Sequence, residues 1–229
     1  MAQSARVNVA FVGLGAMGEG MAANLHRGLI DQGSPPLTVW NRSPEKSKKH
    51  AAAYGTVAVV DLIEVAAAGV IVSCLPTSAQ VRELAQTLAP TLKPGTLWID
   101  CTSGEPVATR MIASEVLDPV SVMLVDCPVS GGPSGAASGK LTAMVGGAPE
   151  AVTKAIPLIA LFAKKNIVPC GGLGCACAVK SVNNALNVSH LALVRMLAVY
   201  FCRCLGSSTW RLRQCLTHMR ITRRPAKVC

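Results

Sequence analysis

Apolar and polar positions over the first 170 residues form short continuous apolar runs, separated by longer stretches with helical spacing. Residues 7–12 read as a strand, and residues 16–28 as a helix whose Met17, Met21 and Leu25 share one stripe. A second strand, 37–40, is set off by the breaker run Gly33-Ser34-Pro35-Pro36. A helix at 44–54 with Lys46, Lys48 and Lys49 outward, a short strand at 57–60, a helix at 62–68 and an apolar strand at 70–75 follow. The pattern then predicts a helix at 79–88, a strand at 96–100, a helix at 107–115 and a strand at 122–126. Two more strands, 141–145 and 167–170, flank a helix at 150–163. From about Ala176 one long helical pattern takes over, and past Cys204 no period remains.

Strands alternating with helices over short connections imply an α/β fold with a mostly parallel sheet covered on both faces. The central strands are apolar throughout, as burial on both faces requires. The chain has 229 residues, of which 51% are hydrophobic, 15% charged and 3% aromatic. That excludes a disordered chain and weakens any function built on base stacking. The most apolar stretch, 185–202, is interrupted by His190 and Arg195, so no membrane span is expected.

The net charge of +10 is unevenly placed. Residues 193–229 hold 8 Lys+Arg and no acid, while residues 1–192 hold 14 Lys+Arg against 12 Asp+Glu. Cysteines 74, 101, 127, 170, 175 and 177 lie mostly in apolar runs and read as reduced, buried thiols. The N-terminus has no leader pattern, so the cytoplasm is the expected compartment.

The first strand runs into Gly13-Leu14-Gly15-Ala16-Met17-Gly18 and then a helix, the setting in which a GxGxxG turn binds a dinucleotide. Gly13 permits the tight turn, Gly15 lets a pyrophosphate approach the backbone, and Gly18 lets the helix pack on the sheet. The second strand ends in Trp40-Asn41-Arg42-Ser43, with no acid to grip a ribose diol or repel a 2′-phosphate. Arg42 and Ser43 are suited to bind that phosphate, so NADP is expected over NAD.

These strings and those that follow resemble the β-hydroxyacid dehydrogenase family, which includes 3-hydroxyisobutyrate dehydrogenase and tartronate semialdehyde reductase and shares its nucleotide domain with 6-phosphogluconate dehydrogenase. Cys74-Leu75-Pro76 is similar to the family's loop after the fourth strand, and Asp100-Cys101-Thr102-Ser103 to its Asp-x-Ser-Thr loop with the hydroxyl residues exchanged. Asp126-Cys-Pro-Val-Ser130-Gly131-Gly132 resembles the substrate-loop motif, and Lys180-Ser-Val-Asn183-Asn184 the catalytic-helix motif. The resemblance implies cofactor contacts from Leu14, Ala16, Met17, Asn41, Leu75, Pro76, Thr102 and Ser103. It also implies Lys180 as general base, and Ser130, Gly131, Gly132 and Asn184 as substrate contacts. At helical spacing Lys180, Asn183 and Asn184 share a face, and Asp126 is assigned a structural, capping role.

On this reading residues 1–165 form a Rossmann-type domain. Residues 166–200 form an inter-domain segment and the long catalytic helix of a truncated all-helical domain, and 201–229 a basic, Cys-rich tail. The expected activity is hydride transfer between NADP and a small 3-hydroxy acid or its semialdehyde, with a catalytically silent nucleotide-binding remnant as the alternative. The family implies a homo-oligomer, but its pattern fails here after about Leu193, which argues against one. That failure, together with the acid-free tail, suggests a shifted reading frame, a misjoined exon or a mis-predicted gene end. In the tail, Cys202-x-Cys204 with Cys215-x-x-His218 matches no standard zinc module, so no metal is expected. The tail arginines make nonspecific anion binding conceivable, but nucleic acid is not the expected partner.

Overall fold

The structure, a computed structural model, describes residues 7–164 and 166–205, with the backbone alone for 201–205. Cys215, His218 and most of the basic tail lie outside the described residues. The apolar runs become strands β1 (Val9–Val12), β2 (Thr38–Trp40), β3 (Val57–Ala58), β4 (Val70–Ser73), β5 (Leu97–Asp100) and β6 (Met123–Asp126). Between them stand helices α1 (Gly18–Asp31), α2 (Pro44–Tyr54), α3 (Ser78–Leu88) and α4 (Pro106–Ile112). The stretch after β3 is a 3-10 helix (Leu62–Ala67), started by Asp61, whose carboxylate accepts from the Ile63 N–H while Glu64 reaches back to the Asp61 N–H. Helix α4 ends in a π-helical turn, Ala113–Leu117.

The strands order as β3-β2-β1-β4-β5-β6, all parallel, and then reverse direction at β8 (Thr142–Gly147), which runs antiparallel to β6. Strand β7 (Val129–Ser130) pairs antiparallel with β8, and β9 (Asn166–Gly171) pairs parallel with it. Every residue of β1, β4 and β5 is buried, which is why those runs carry no polar alternation. The pleat divides them between two cores. Phe11, Leu97 and Ile99 face α1 and α6 (Pro149–Phe162) with Met21, Leu25, Ile159 and Phe162, while Ala10, Val12 and Trp98 face Leu84, Leu88 and Ile112. Each large side chain buried this completely contributes about 1.5–3 kcal/mol.

Two elements escape the sequence pattern. Residues 129–137 carry no large apolar side chain beyond Val129, yet they form β7 and α5 (Gly132–Ala137). Helix α5 is held from outside itself: the Asn24 side-chain amide donates to the carbonyls of Ala136 (2.8 Å) and Ala137 (3.1 Å). Gly20 has no room for a Cβ, which would lie 2.6 Å from the Ala137 nitrogen. Of the six cysteines read as buried, Cys101, Cys127 and Cys177 are, whereas Cys74, Cys170 and Cys175 are half-buried; all six are free thiols.

Helix α7 runs from Cys175 to Leu205. The chain forms two compact units, residues 1–181 and 182–229, so this helix begins in one and continues in the other. In the second unit Val182, Leu186, Val188, Leu191 and Met196 are exposed. No described helix is long and apolar enough to cross a membrane.

Candidate active site

The order of β1 to β6 places the topological switch between β1 and β4, and the carboxyl ends of strands at such a point form a crevice. A cleft of about 480 Å³ lies there, lined by the glycine turn, by Asn41, Arg42 and Ser43 after β2, and by Cys74, Leu75 and Pro76 after β4. The three glycines of the turn have different reasons to be glycine. Gly13 has φ +99°, donates its N–H to the Trp40 carbonyl (3.0 Å), and has the Cys74 carbonyl 2.4 Å from where a Cβ would stand. A Cβ on Gly18 would lie 1.9 Å from the Gly13 carbonyl oxygen. Around Gly15 no atom lies within 4 Å of that position. The protein therefore needs no glycine at 15 for its own packing; the open space lies in a cleft lined by the first turn of α1, as a dinucleotide pyrophosphate requires.

The turn is tied to β2 by Asn41, whose side-chain carbonyl accepts the Leu14 N–H at 3.0 Å. Beyond it, Arg42 and Lys46 are exposed cations in the same cleft wall, Lys46 in the first turn of α2. With Ser43 they form a donor set suited to a phosphate monoester. Val12, Trp40, Leu62 and Leu84, with Gln80, Glu83 and Thr87, complete the lining.

A buried hydrogen-bond chain fixes the loops after β4 and β5. Trp98 Nε1 donates to Ser73 Oγ (2.8 Å), Ser73 Oγ donates to Asp100 Oδ1 (2.8 Å), and Asp100 Oδ1 accepts the Thr102 N–H (3.1 Å). Thr102 Oγ1 in turn accepts the Leu75 N–H (3.0 Å), so the two loops are joined. Burial pushes the Asp100 carboxyl above its ordinary range, against the hydrogen bonds from Thr102 and Ser73. Burial likewise pushes the Cys74 thiol up to about 12, so this cysteine at the cleft wall is inert as a nucleophile.

Lys180 stands in the first compact unit, on α7, with only 8% of its surface exposed. Burial alone draws its ammonium below the usual lysine value, toward the neutral amine a base needs. The start of α7 lies against the loop after β5, where Cys177 Sγ would be 3.8 Å from a Cβ on Gly104. Asp126, at the end of β6, is fully buried and accepts the Gly174 N–H on Oδ1 and the Cys177 N–H on Oδ2, each at 2.9 Å. It caps the helix that bears Lys180, 48 residues or more along the chain.

The structure brings Gly13, Gly15, Ala16, Met17, Gly18, Asn41, Arg42, Ser43, Leu75 and Pro76 into one cleft lining. Leu14 is buried in the core with its N–H spent on Asn41; Thr102 is buried as the bridge between loops, while Ser103 beside it is exposed, and none of the three lines the cleft. Ser130 closes β7, Gly131 precedes α5 and Gly132 opens it, so these residues form a strand-to-helix turn and not an open loop. Asn184 lies exposed in the second unit. Lys46 and the α3 residues went unassigned in the sequence reading. Lys46 sat in an outward-facing lysine row, and nothing local distinguishes it from Lys48 and Lys49.

Residues 8–172 match the family described as the NAD binding domain of 6-phosphogluconate dehydrogenase. The chain is 37% identical over 201 residues to a probable 3-hydroxyisobutyrate dehydrogenase, mitochondrial, of Dictyostelium discoideum, a match covering 84% of this chain and 59% of the relative. It therefore spans less than two thirds of that curated relative's length. A Mycobacterium tuberculosis 3-hydroxyisobutyrate dehydrogenase solved with L-serine superposes with TM-score 0.77 at 31% identity, covering 93% of this chain and 71% of that one. A structure titled Psf3 in complex with NADP+ and 2-OPP superposes with TM-score 0.69 at 28% identity, covering 92% and 79% respectively.

Proposed function

Since the chain belongs to the β-hydroxyacid dehydrogenase family through its nucleotide-binding domain, we propose that it transfers a hydride between NADP and a small 3-hydroxy acid or its semialdehyde, with Lys180 moving the proton. The observation that carries the cofactor reading is the empty space at Gly15, flanked by two glycines whose Cβ would clash with backbone, in a cleft that Arg42, Ser43 and Lys46 also line. Those two cations and the lack of an acid after β2 favour the 2′-phosphate of NADP over the bare ribose of NAD.

The nicotinamide, when bound, supplies the hydride acceptor at the reacting carbon. The chain's residues supply the rest. The neutral Lys180 amine takes the hydroxyl proton as the hydride leaves, and in reduction the ammonium returns it. Burial shifts Lys180 in the direction of the neutral amine that the first role needs. Backbone N–H groups of the turn at Ser130, Gly131 and Gly132 are proposed to hold the substrate carboxylate, with Asn184 as a further contact and Thr102 and Ser103 on the nicotinamide side. L-serine, found with the mycobacterial relative, is itself a 3-hydroxy acid. Serine and 3-hydroxyisobutyrate are therefore the substrates to try first.

The test is fluorescence titration of the full chain with NADPH and NADH, followed by NADP-linked oxidation of those two acids. Turnover that vanishes in Lys180→Ala while NADPH binding persists supports the reading. Binding without turnover in the unmodified chain replaces it with the nucleotide-holding alternative, and absence of binding defeats both. The free thiols fit a reducing compartment. We propose the cytoplasm, which fractionation of the tagged chain tests.

A further inference from the structure

The first turns of α7 have little to hold them by packing. Between Gly174 and Lys180 the buried side chains, apart from the lysine, are only Ala176 and Cys177, and Val179 is exposed. A helix anchored by so small an apolar surface needs another constraint to set its height and rotation on the sheet. We infer that Asp126 is a positioning residue for Lys180: its carboxylate clamps the first turn of α7 to the end of β6 and so fixes where the lysine amine stands.

Both carboxylate oxygens are committed, one to the Gly174 N–H and one to the Cys177 N–H, donors that a helix leaves unpaired at its start. Lys180 lies three residues past Cys177, one turn along on the same face, so a shift of the clamped turn carries directly to the amine. A second observation shows that the space is kept for this contact. A Cβ on Gly146 of β8 would stand 2.5 Å from Asp126 Oδ1, 2.8 Å from the Gly172 carbonyl and 3.1 Å from the Ala176 nitrogen. Any side chain at 146 would push the helix start and the carboxylate apart.

The catalytic consequence rests on the reading of Lys180 as the base, so the experiment has one readout that does not. In the full chain, the 13Cε resonance of Lys180, assigned by its loss in Lys180→Met, is titrated in the unmodified protein, in Asp126→Asn and in Gly146→Ala. NADPH affinity and kcat for 3-hydroxyisobutyrate with NADP+ are measured alongside. Asp126→Asn keeps the shape but turns an N–H donor toward one of the two helix N–H groups. The lysine titration should move up toward the ordinary value in both variants, as the loosened turn admits water. In both, kcat should fall on the order of 100-fold, while the NADPH dissociation constant stays within about twofold, as for a distant independent site. A Lys180 titration unmoved in both variants overturns the proposal. So does a loss of NADPH affinity as large as the loss in kcat, which would mark a general collapse of the domain. A moved titration in a chain with no turnover leaves the positioning role standing and removes the dehydrogenase reading instead.

Discussion

Replacing Gly15 with alanine should act in opposite directions on stability and on cofactor binding. The backbone at 15 is not in the left-handed region, and a Cβ there meets nothing within 4 Å. Removing a glycine at such a position restricts the unfolded chain and should stabilise the fold by about 0.4–1 kcal/mol. For a chain of this size that raises Tm by about 1–4 °C. The same methyl group occupies the space a pyrophosphate needs to reach the backbone. Losing one such charge-assisted hydrogen bond costs about 1.5–3 kcal/mol, so the NADPH dissociation constant should rise about 10- to 100-fold. Gly18→Ala is the internal control: its Cβ would lie 1.9 Å from the Gly13 carbonyl, and overpacking of that kind costs about 1–3 kcal/mol of stability. The assay is a thermal melt of the apo protein beside a fluorescence titration with NADPH. Either a lower apo Tm in Gly15→Ala or an unchanged NADPH affinity would refute the assignment of that space to the cofactor.

Lys180→Met should abolish turnover, leave NADPH binding intact, and raise apo stability at neutral pH by about 0.5–2 kcal/mol, because a buried ammonium is replaced by a thioether of similar length. Its pH dependence has a definite sign: between the lowered folded value of Lys180 and its unfolded value the unfolded chain binds more protons. The unmodified protein should therefore gain stability as pH rises through that window, and melts of Lys180→Met should lack the gain. Arg42→Ala removes one of the two cations at the proposed 2′-phosphate site. It should weaken NADPH by about 10-fold or more while leaving NADH within about twofold, which paired titrations check. Ser73→Ala leaves Trp98 Nε1 without its acceptor and Asp100 with one donor fewer. It should cost about 1–3 kcal/mol in denaturant melts, and a loss below about 0.5 kcal/mol would show that the buried chain re-forms without it.

Periodicity in the sequence located all six parallel strands and the helices between them, because each element buries side chains at spacings that local sequence records. The burial of β4 and β5 on both faces was visible in the same way. The glycine turn was legible because its strand, its turn residues and its helix are contiguous. Residues 129–137 were not legible as β7 and α5, since they carry almost no apolar pattern and are held by β8 and by Asn24, over 100 positions away. Thr102 shows the limit from the other side: its loop was found, but its hydroxyl is spent on the Leu75 N–H and not directed into the cleft.

The chain by itself thus determined the six parallel strands, the helices between them and the place of the glycine turn. Tertiary structure alone decided the strand order, the reversal at β8, the place of Lys46 in the cleft wall and the partners of Asp126. These depend on pairings between distant segments, which no local period encodes. At Asp126 sequence reading stopped at a cap for the loop that follows it, and the fold supplied a helix start 48 residues away. Two backbone N–H groups at that start have no intrahelical partner, and a buried carboxylate needs donors of that kind.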